Sequence, residues 1–214
     1  MTQFKVKLAG QSIQIQSLYE ETKQFLRDYL TEEEPRIFLS ITQEDLRREK
    51  EINAFGREQE GLPPLRASWA YLETLALHRM LAETMVDDGV ILFHGSVVAV
   101  DGVGYLFTAK SGTGKSTHAR LWRQLFGERA FMVNDDKPYL KMIDGRIWAY
   151  GTPWNGKERL GTNTRAPLKA ICILERDSYN HIAPEEPVSA FPMMIQQTYR
   201  SDDATLAALS LHIL

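Results

Sequence analysis

The sequence predicts an α/β protein: a mixed sheet bearing a glycine-rich loop, preceded by a small α+β unit. Three observations carry this. Residues 107–122, "FTAKSGTGKSTHARLW", run from an apolar strand through a turn of small residues into a helix. Immediately before them, "VAVDGVGYLF" sets Asp101-Gly102 between two β-rich runs, and a two-residue hairpin turn with φ > 0 at both positions favours that pair. Residues 4–16 hold two short strand patterns around Gly10, ahead of charged helical segments.

Along the chain, "FKVKL" and "SIQIQ" read as paired strands, and residues 18–30 set Leu18, Phe25, Leu26, Tyr29 and Leu30 along one helical face. "PRIFLSIT" is a strand. Thr42 opens the helix "TQEDLRREKEINAF", with Asp45 as partner in a loose capping box. "GREQEGLPPLRAS" is a linker, which sets the expected division at residues 1–66 and 67–214. Residues 68–87 form an amphipathic helix through Leu72, Leu75, Leu77, Leu81 and Met85, capped by Ser68. The run "VILFHGSVVAV" is a strand with His94 on the face of Leu92, Ser96, Val98 and Val100. "FMVNDD" is a strand ending in two acids. "YLKMI" and "RIWAY" flank Asp144-Gly145 as a second hairpin, and "LKAICILE" is a buried strand. Residues 187–199 and 203–213 are helical, the latter capped by Asp202 or Asp203. The apolar end "LSLHIL" either docks on the core or continues into further chain.

Composition narrows the class. The chain has 214 residues, 43% hydrophobic and 25% charged, with net charge −3. This suits a globular protein with one well-filled core or a main domain plus a smaller one. The basic residues are scattered, so neither a nucleic acid nor an anionic membrane is an expected partner. The start has no signal-peptide pattern and no stretch reaches the ~18 apolar residues of a membrane span, so the expected location is cytoplasmic. The one cysteine, Cys172, lies in an apolar strand and reads as a buried thiol; a catalytic thiol would need a partner histidine.

The glycine-rich turn is where chemistry concentrates. A turn with few side chains lets successive amides point inward as an anion site, and the following helix adds its free N–H groups and positive dipole end. Ser111, Gly112, Thr113, Gly114, Lys115, Ser116 and Thr117 are the candidate phosphate contacts. Lys115 supplies a fixed charge, and the Ser116 hydroxyl a ligand for Mg²⁺ shared with the phosphates of ATP. The strict spacing asks for glycine at position 109, where Ala109 stands. Asp135 and Asp136 end the next strand. One can face the metal and the other take a proton from an incoming hydroxyl; alternatively they form an Asx turn or a surface acid pair opposite Lys137. His94 on its strand face reads first as a core histidine.

Residues 94–136 resemble the catalytic domain of the HPr kinase/phosphorylase family: "HGSVVAVDGVGYLFTAKSGTGKST", then "VNDD". The hairpin approach to the loop is shared with the ATP-dependent phosphoenolpyruvate carboxykinases. The resemblance implies a mixed sheet of that P-loop type and an ATP- and Mg²⁺-dependent kinase. It implies Asp136 as proton acceptor, Asp135 with Ser116 at the metal, Lys115 at the transferring phosphoryl group and His94 assisting. It also makes a homo-oligomer reasonable. One departure concerns the acceptor: the family's Glu-x-Arg-Gly segment corresponds to "WAYG", Trp148 to Gly151, with no acid before the glycine. The expected substrate is therefore a hydroxyl-bearing protein, peptide or small molecule such as serine, rather than HPr itself. A non-catalytic nucleotide-binding module and a carboxykinase-like enzyme on a small acid are the alternatives. Finally, the long connection "GTPWNGKERLGTNTRA" offers Trp154, Asn155, Lys157, Arg159 and Arg165 as an anion clamp, or is a solvated loop with Trp154 pinned on the core.

Overall fold

The computed structural model describes residues 1–214 and divides them into two compact units, Met1–Leu81 and Ala82–Leu214.

In the first unit β1 (Thr2–Leu8) and β2 (Gln11–Ser17) form an antiparallel hairpin. Its turn puts Ala9 and Gly10 both at positive φ, the geometry a tight hairpin turn requires. Period-two alternation places Phe4 opposite Ile15 and Val6 opposite Ile13, all four buried on one face. The helix expected over 18–30 is shorter: α1 spans Glu20–Phe25, and a 3₁₀ turn follows over Arg27–Tyr29. The reason lies in what comes next. Thr31 N–H donates to Lys5 O and Leu30 bridges to Val6, so the chain must leave the helix to reach β1. The tighter turn still buries Leu26 and Tyr29, while Phe25 and Leu30 remain exposed. β3 (Ile37–Ser40) runs parallel to β2, giving sheet order β1-β2-β3.

α2 (Gln43–Gln59) starts with the expected capping box: Thr42 Oγ1 accepts from Asp45 N–H at 3.3 Å, and Asp45 Oδ2 accepts from Thr42 N–H at 2.9 Å. α3 spans Trp69–Met85, with Ser68 Oγ accepting from Tyr71 N–H at 3.1 Å. Two buried acids stitch this unit. The Glu73 carboxylate takes Leu18 N–H at 2.5 Å, Tyr19 N–H at 3.2 Å and the Thr22 hydroxyl. Glu49 takes Arg79 Nε at 3.1 Å.

The second unit is built on seven strands: β4 (Val90–Leu92), β5 (Ser96–Val100), β6 (Val103–Thr108), β7 (Ala130–Asn134), β8 (Tyr139–Ile143), β9 (Arg146–Tyr150) and β10 (Arg165–Ile173). Their order is β4-β8-β9-β10-β6-β5-β7; β10–β6 is parallel and the other pairs antiparallel. Asp101-Gly102 and Asp144-Gly145 make the two expected hairpins, all four residues at positive φ. All five β5 residues are buried because the two sheet faces are covered differently. Val98, Val100, Phe107 and Met132 pack with Ala119, Trp122 and Phe126 of α4 (Lys115–Phe126). Val97, Ala99, Leu106 and Val133 face the other way, with Met194 of α5 (Pro187–Gln197) and Leu206, Leu209 and Ile213 of α6 (Ala204–Ile213). Asp203 caps α6, its Oδ1 accepting from Thr205 and Leu206 N–H at 2.8 and 3.1 Å. No helix is long and apolar enough to cross a membrane.

One strand expectation needs correction. "VILFHGSVVAV" is broken at Phe93–Gly95, and His94 sits in the break, off the strand face. Three successive amides leave the ladder: Phe93 N–H donates to Pro138 O at 3.0 Å, His94 N–H to Gln197 O at 2.7 Å and Gly95 N–H to Asp136 O at 3.0 Å. The close approach needs Gly95, since a Cβ there would lie 3.0 Å from Phe107 O.

Candidate functional site

Residues 109–114 connect β6 to α4. Gly112 and Gly114 stand at φ +77° and +121°, with open space where a Cβ would be, so backbone conformation and not crowding selects glycine. Ala109 is buried and is not at positive φ, so the first position of the motif has no conformational need for glycine. The Lys115 ammonium lies back along the turn, donating to Ala109 O at 3.0 Å. Lys115, Ser116 and Thr117 open α4, and their N–H groups have no helical carbonyl behind them. Tyr105, Phe107, Trp122 and Phe126 interlock at ring separations of 4.8–5.4 Å and hold α4 on the sheet. His118 packs on Phe107 at 4.5 Å, and its burial lowers its pKa, favouring the neutral ring.

The two acids are placed by Asn134, the last residue of β7. Its buried Oδ1 accepts from the N–H groups of Asp136 at 2.8 Å and Lys137 at 2.6 Å, while Nδ2 donates to Thr152 O at 3.1 Å. This Asx turn splays the carboxylates. Asp135 is buried: Oδ1 accepts from Gly156 N–H at 2.8 Å and its carbonyl accepts from Ser96 Oγ at 3.0 Å. Asp136 faces His94, with Nε2 to Oδ1 at 3.2 Å. Burial pushes the Asp136 carboxyl up, but the His94 hydrogen bond and the charges of Lys137, His94 and Lys115 outweigh it, leaving it below the usual carboxylate value. Burial lowers Lys115, partly offset by Asp136, with Lys137 lowering it further. Burial also lowers Lys137, against the pull of Asp136.

A cleft of ≈ 590 Å³ opens over the turn. His94, Ser111, Gly112, Gly114, Lys115, Ser116, Thr117, Asp135 and Asp136 all line it. Of the residues expected at the phosphates, the metal and the proton transfer, Thr113 alone is outside the lining, its hydroxyl donating to Lys110 O at 2.9 Å. The far wall is the connection after β9, and it is fastened down. Thr162 Oγ1 donates to Met132 O at 2.8 Å, Thr162 N–H to Val133 O at 3.2 Å and Gly151 N–H to Thr164 O at 2.8 Å. A Cβ on Gly151 would fall 1.8 Å from Thr162 O. Of the five residues expected as a clamp, only Lys157 lines the cleft. Trp154 is buried, Asn155 turns back to Thr152 O at 3.2 Å, and Arg165 stacks on Trp148 at 4.7 Å.

Sequence reasoning missed four residues. Arg120 and Arg123 line the cleft, sharing with Ser116 the i, i+4, i+7 face of α4, a spacing that was legible. Asn134 directs the acids, and an asparagine before a chain reversal was its signal. Arg176 Nη2 donates to Gly112 O at 2.6 Å, from a position no local pattern marks.

No protein-family model matches the chain, and no curated protein matches it. Among solved structures it is similar to the Hpr(Ser) kinase/phosphatase from Coxiella burnetii, at 15% identity and a TM-score of 0.32. That match covers 45% of this chain and 66% of the other, so the chain spans just under two thirds of that neighbour's length.

Proposed function

We propose that the second unit is an ATP- and Mg²⁺-dependent phosphotransferase that moves the γ-phosphoryl group to a hydroxyl, on a fold of the HPr kinase and phosphoenolpyruvate carboxykinase type. The observation that carries this is the meeting of Lys115 and the His94–Asp136 pair in one cleft at the glycine turn.

The residues present fit the nucleotide. The turn is a cradle free of side chains at Gly112 and Gly114, backed by the unpaired N–H groups of the first turn of α4. Lys115 adds the positive charge and is in reach of phosphate oxygens once it leaves Ala109 O. They also fit Mg²⁺, which uses one or two carboxylates, a hydroxyl and phosphate oxygens. Ser116 and Asp135 would hold it, Asp135 having one oxygen occupied by Gly156 N–H and the other without a hydrogen bond. The metal supplies neutralisation of phosphate charge.

Asp136 acts on the acceptor. Held ionised through the neutral range, it orients the incoming hydroxyl and takes its proton as the acceptor oxygen bonds phosphorus and ADP leaves. His94 fixes the carboxylate's position through Oδ1.

The test is transfer from γ-labelled ATP to candidate hydroxyl acceptors. Asp136→Asn is expected to lower transfer by roughly 10²–10⁴-fold while Mg²⁺·ATP still binds, and Lys115→Ala to remove both. Tight Mg²⁺·ATP binding by the unmodified chain, with no transfer to any acceptor, would favour a nucleotide-binding module instead.

A further inference from the structure

The geometry points to a compact anion as the acceptor: we propose a small hydroxy acid whose carboxylate or phosphate is held by Arg120, Arg123 and Lys157. This rests on the kinase reading and names its substrate class.

The cleft continues past the glycine turn. Ser116, Arg120 and Arg123 lie on one stripe of α4, and Lys157 stands on the facing wall. Arg120 and Arg123 start about 6 and 10 Å beyond Ser116 along the helix, at ~1.5 Å per residue. Helical side chains lean toward the N-terminus, and both arginines line the same cleft as the turn. Beyond the residues of the turn, the lining adds three cations, Arg120, Arg123 and Lys157, against one further carboxylate, Glu158. The other two acids of the cleft have roles of their own in the kinase reading, Asp135 at the metal and Asp136 at the incoming hydroxyl, and each already accepts one hydrogen bond, from Gly156 N–H and from His94. The helix face therefore brings an excess of positive charge into the cleft that also holds Asp136. Arginine's planar fork suits a carboxylate or a phosphate equally well.

The walls argue for a small molecule over a protein segment. The outer wall cannot swing freely, since Thr162 ties it to Met132 O and Val133 O, and Gly156 ties it to Asp135. The floor is apolar, with Met132 4% exposed. A volume of ≈ 590 Å³ has to take the phosphates of ATP as well, which leaves room for a compact acceptor. In the transfer itself the acceptor's O–H oxygen forms the new bond to the γ-phosphorus, the bond to the β–γ bridging oxygen breaks, ADP departs, and the proton goes to Asp136.

The experiment uses the full chain with Mg²⁺ and γ-labelled ATP, and matched acceptors: D-glycerate against glycerol, L-serine against L-serinamide, glycerol 3-phosphate against glycerol, and a capped serine peptide flanked by glutamates. Binding to the Mg²⁺·ADP complex is followed by calorimetry in parallel. The expected result is that at least one acceptor bearing a carboxylate or phosphate is phosphorylated, or bound, about tenfold or more better than its partner lacking that group. Arg120→Ala, Arg123→Ala and Lys157→Ala should each raise KM for that anion more than they raise Kd for Mg²⁺·ATP, with Arg123→Lys recovering part of the loss. Three results would overturn the proposal: equal use of the partners lacking the acid group, no carboxylate- or phosphate-bearing small molecule bound or phosphorylated while Mg²⁺·ATP binds, or phosphorylation of the acidic peptide alone. Variants that weaken Mg²⁺·ATP and not the acceptor would also do so, by giving these cations to the nucleotide. Failure of the unmodified chain to bind Mg²⁺·ATP would instead sink the kinase reading, a separate outcome.

Discussion

Both units bury charged groups, but they treat them differently. In the first, Glu73 receives two backbone N–H groups and a hydroxyl, and Glu49 lies against Arg79 with both side chains under a tenth exposed. Each carboxylate is consumed by its own surroundings. In the second, His94 and Asp136 are about a third exposed, Lys115 is held only by a carbonyl of its own turn, and all three face open space. A buried charge that is fully satisfied fastens a fold; one that is half-satisfied over a cleft is available for chemistry. The difference separates enclosed from accessible polarity without any appeal to motif.

The sharpest way to break this contrast is to remove one group of each kind. Loss of Asp136 is expected to act on transfer, as described above, and to leave the fold standing. Glu73→Ala should do the reverse. It strands Leu18 N–H, Tyr19 N–H and the Thr22 hydroxyl, and is expected to destabilise by about 3 kcal/mol in chemical denaturation while the folded fraction keeps its Mg²⁺·ATP affinity. A fall in nucleotide affinity with unchanged stability would invert the assignment.

Asn134 tests the boundary between the two kinds, because it is fully satisfied yet holds the two acids of the cleft in place. Asn134→Ala is expected to cost about 2 kcal/mol and also to lower kcat. A kcat unchanged in the folded fraction would show that the Asx turn is structural alone.

The smallest effect concerns Cys172, a half-buried group of the second unit that does not line the cleft. Burial raises its thiol pKa, so the native chain keeps the proton at a pH where the unfolded chain has lost it. Alkylation by iodoacetamide should therefore begin at higher pH in the native protein than in the denatured one, with Mg²⁺·ATP affinity unchanged by the modification. Faster native alkylation at neutral pH would make the thiol reactive and contradict the structural reading.

Local rules made much of this legible. Asp101-Gly102 and Asp144-Gly145 give the hairpins because their turn type demands positive φ, and Thr42 with Asp45 gives the start of α2. The strand–turn–helix around Lys115 was readable for the same reason: glycine placement reports backbone conformation. What was not readable depended on partners distant in sequence. His94 leaves its strand because Pro138, Gln197 and Asp136 take three successive amides, and nothing near His94 announces them. The 18–30 helix stops early because Leu30 must reach Val6. The loop after β9 reads as an anion clamp or as a solvated loop with Trp154 pinned on the core; Trp154 is buried and the loop is a fixed wall, since its anchors are carbonyls of β7. Arg176 reaches Gly112 from the end of β10 by topology alone, through the parallel pairing of β10 with β6.

The central claim is that the turn from Ala109 to Ser116 grips nucleotide phosphates. Isothermal titration of the full chain with ATP, with and without Mg²⁺, tests it most directly. The account predicts saturable one-site binding that is strengthened by Mg²⁺ and lost in Lys115→Ala, with that variant's fold intact by circular dichroism. No heat of binding in the unmodified chain, or equal binding by folded Lys115→Ala, would contradict it.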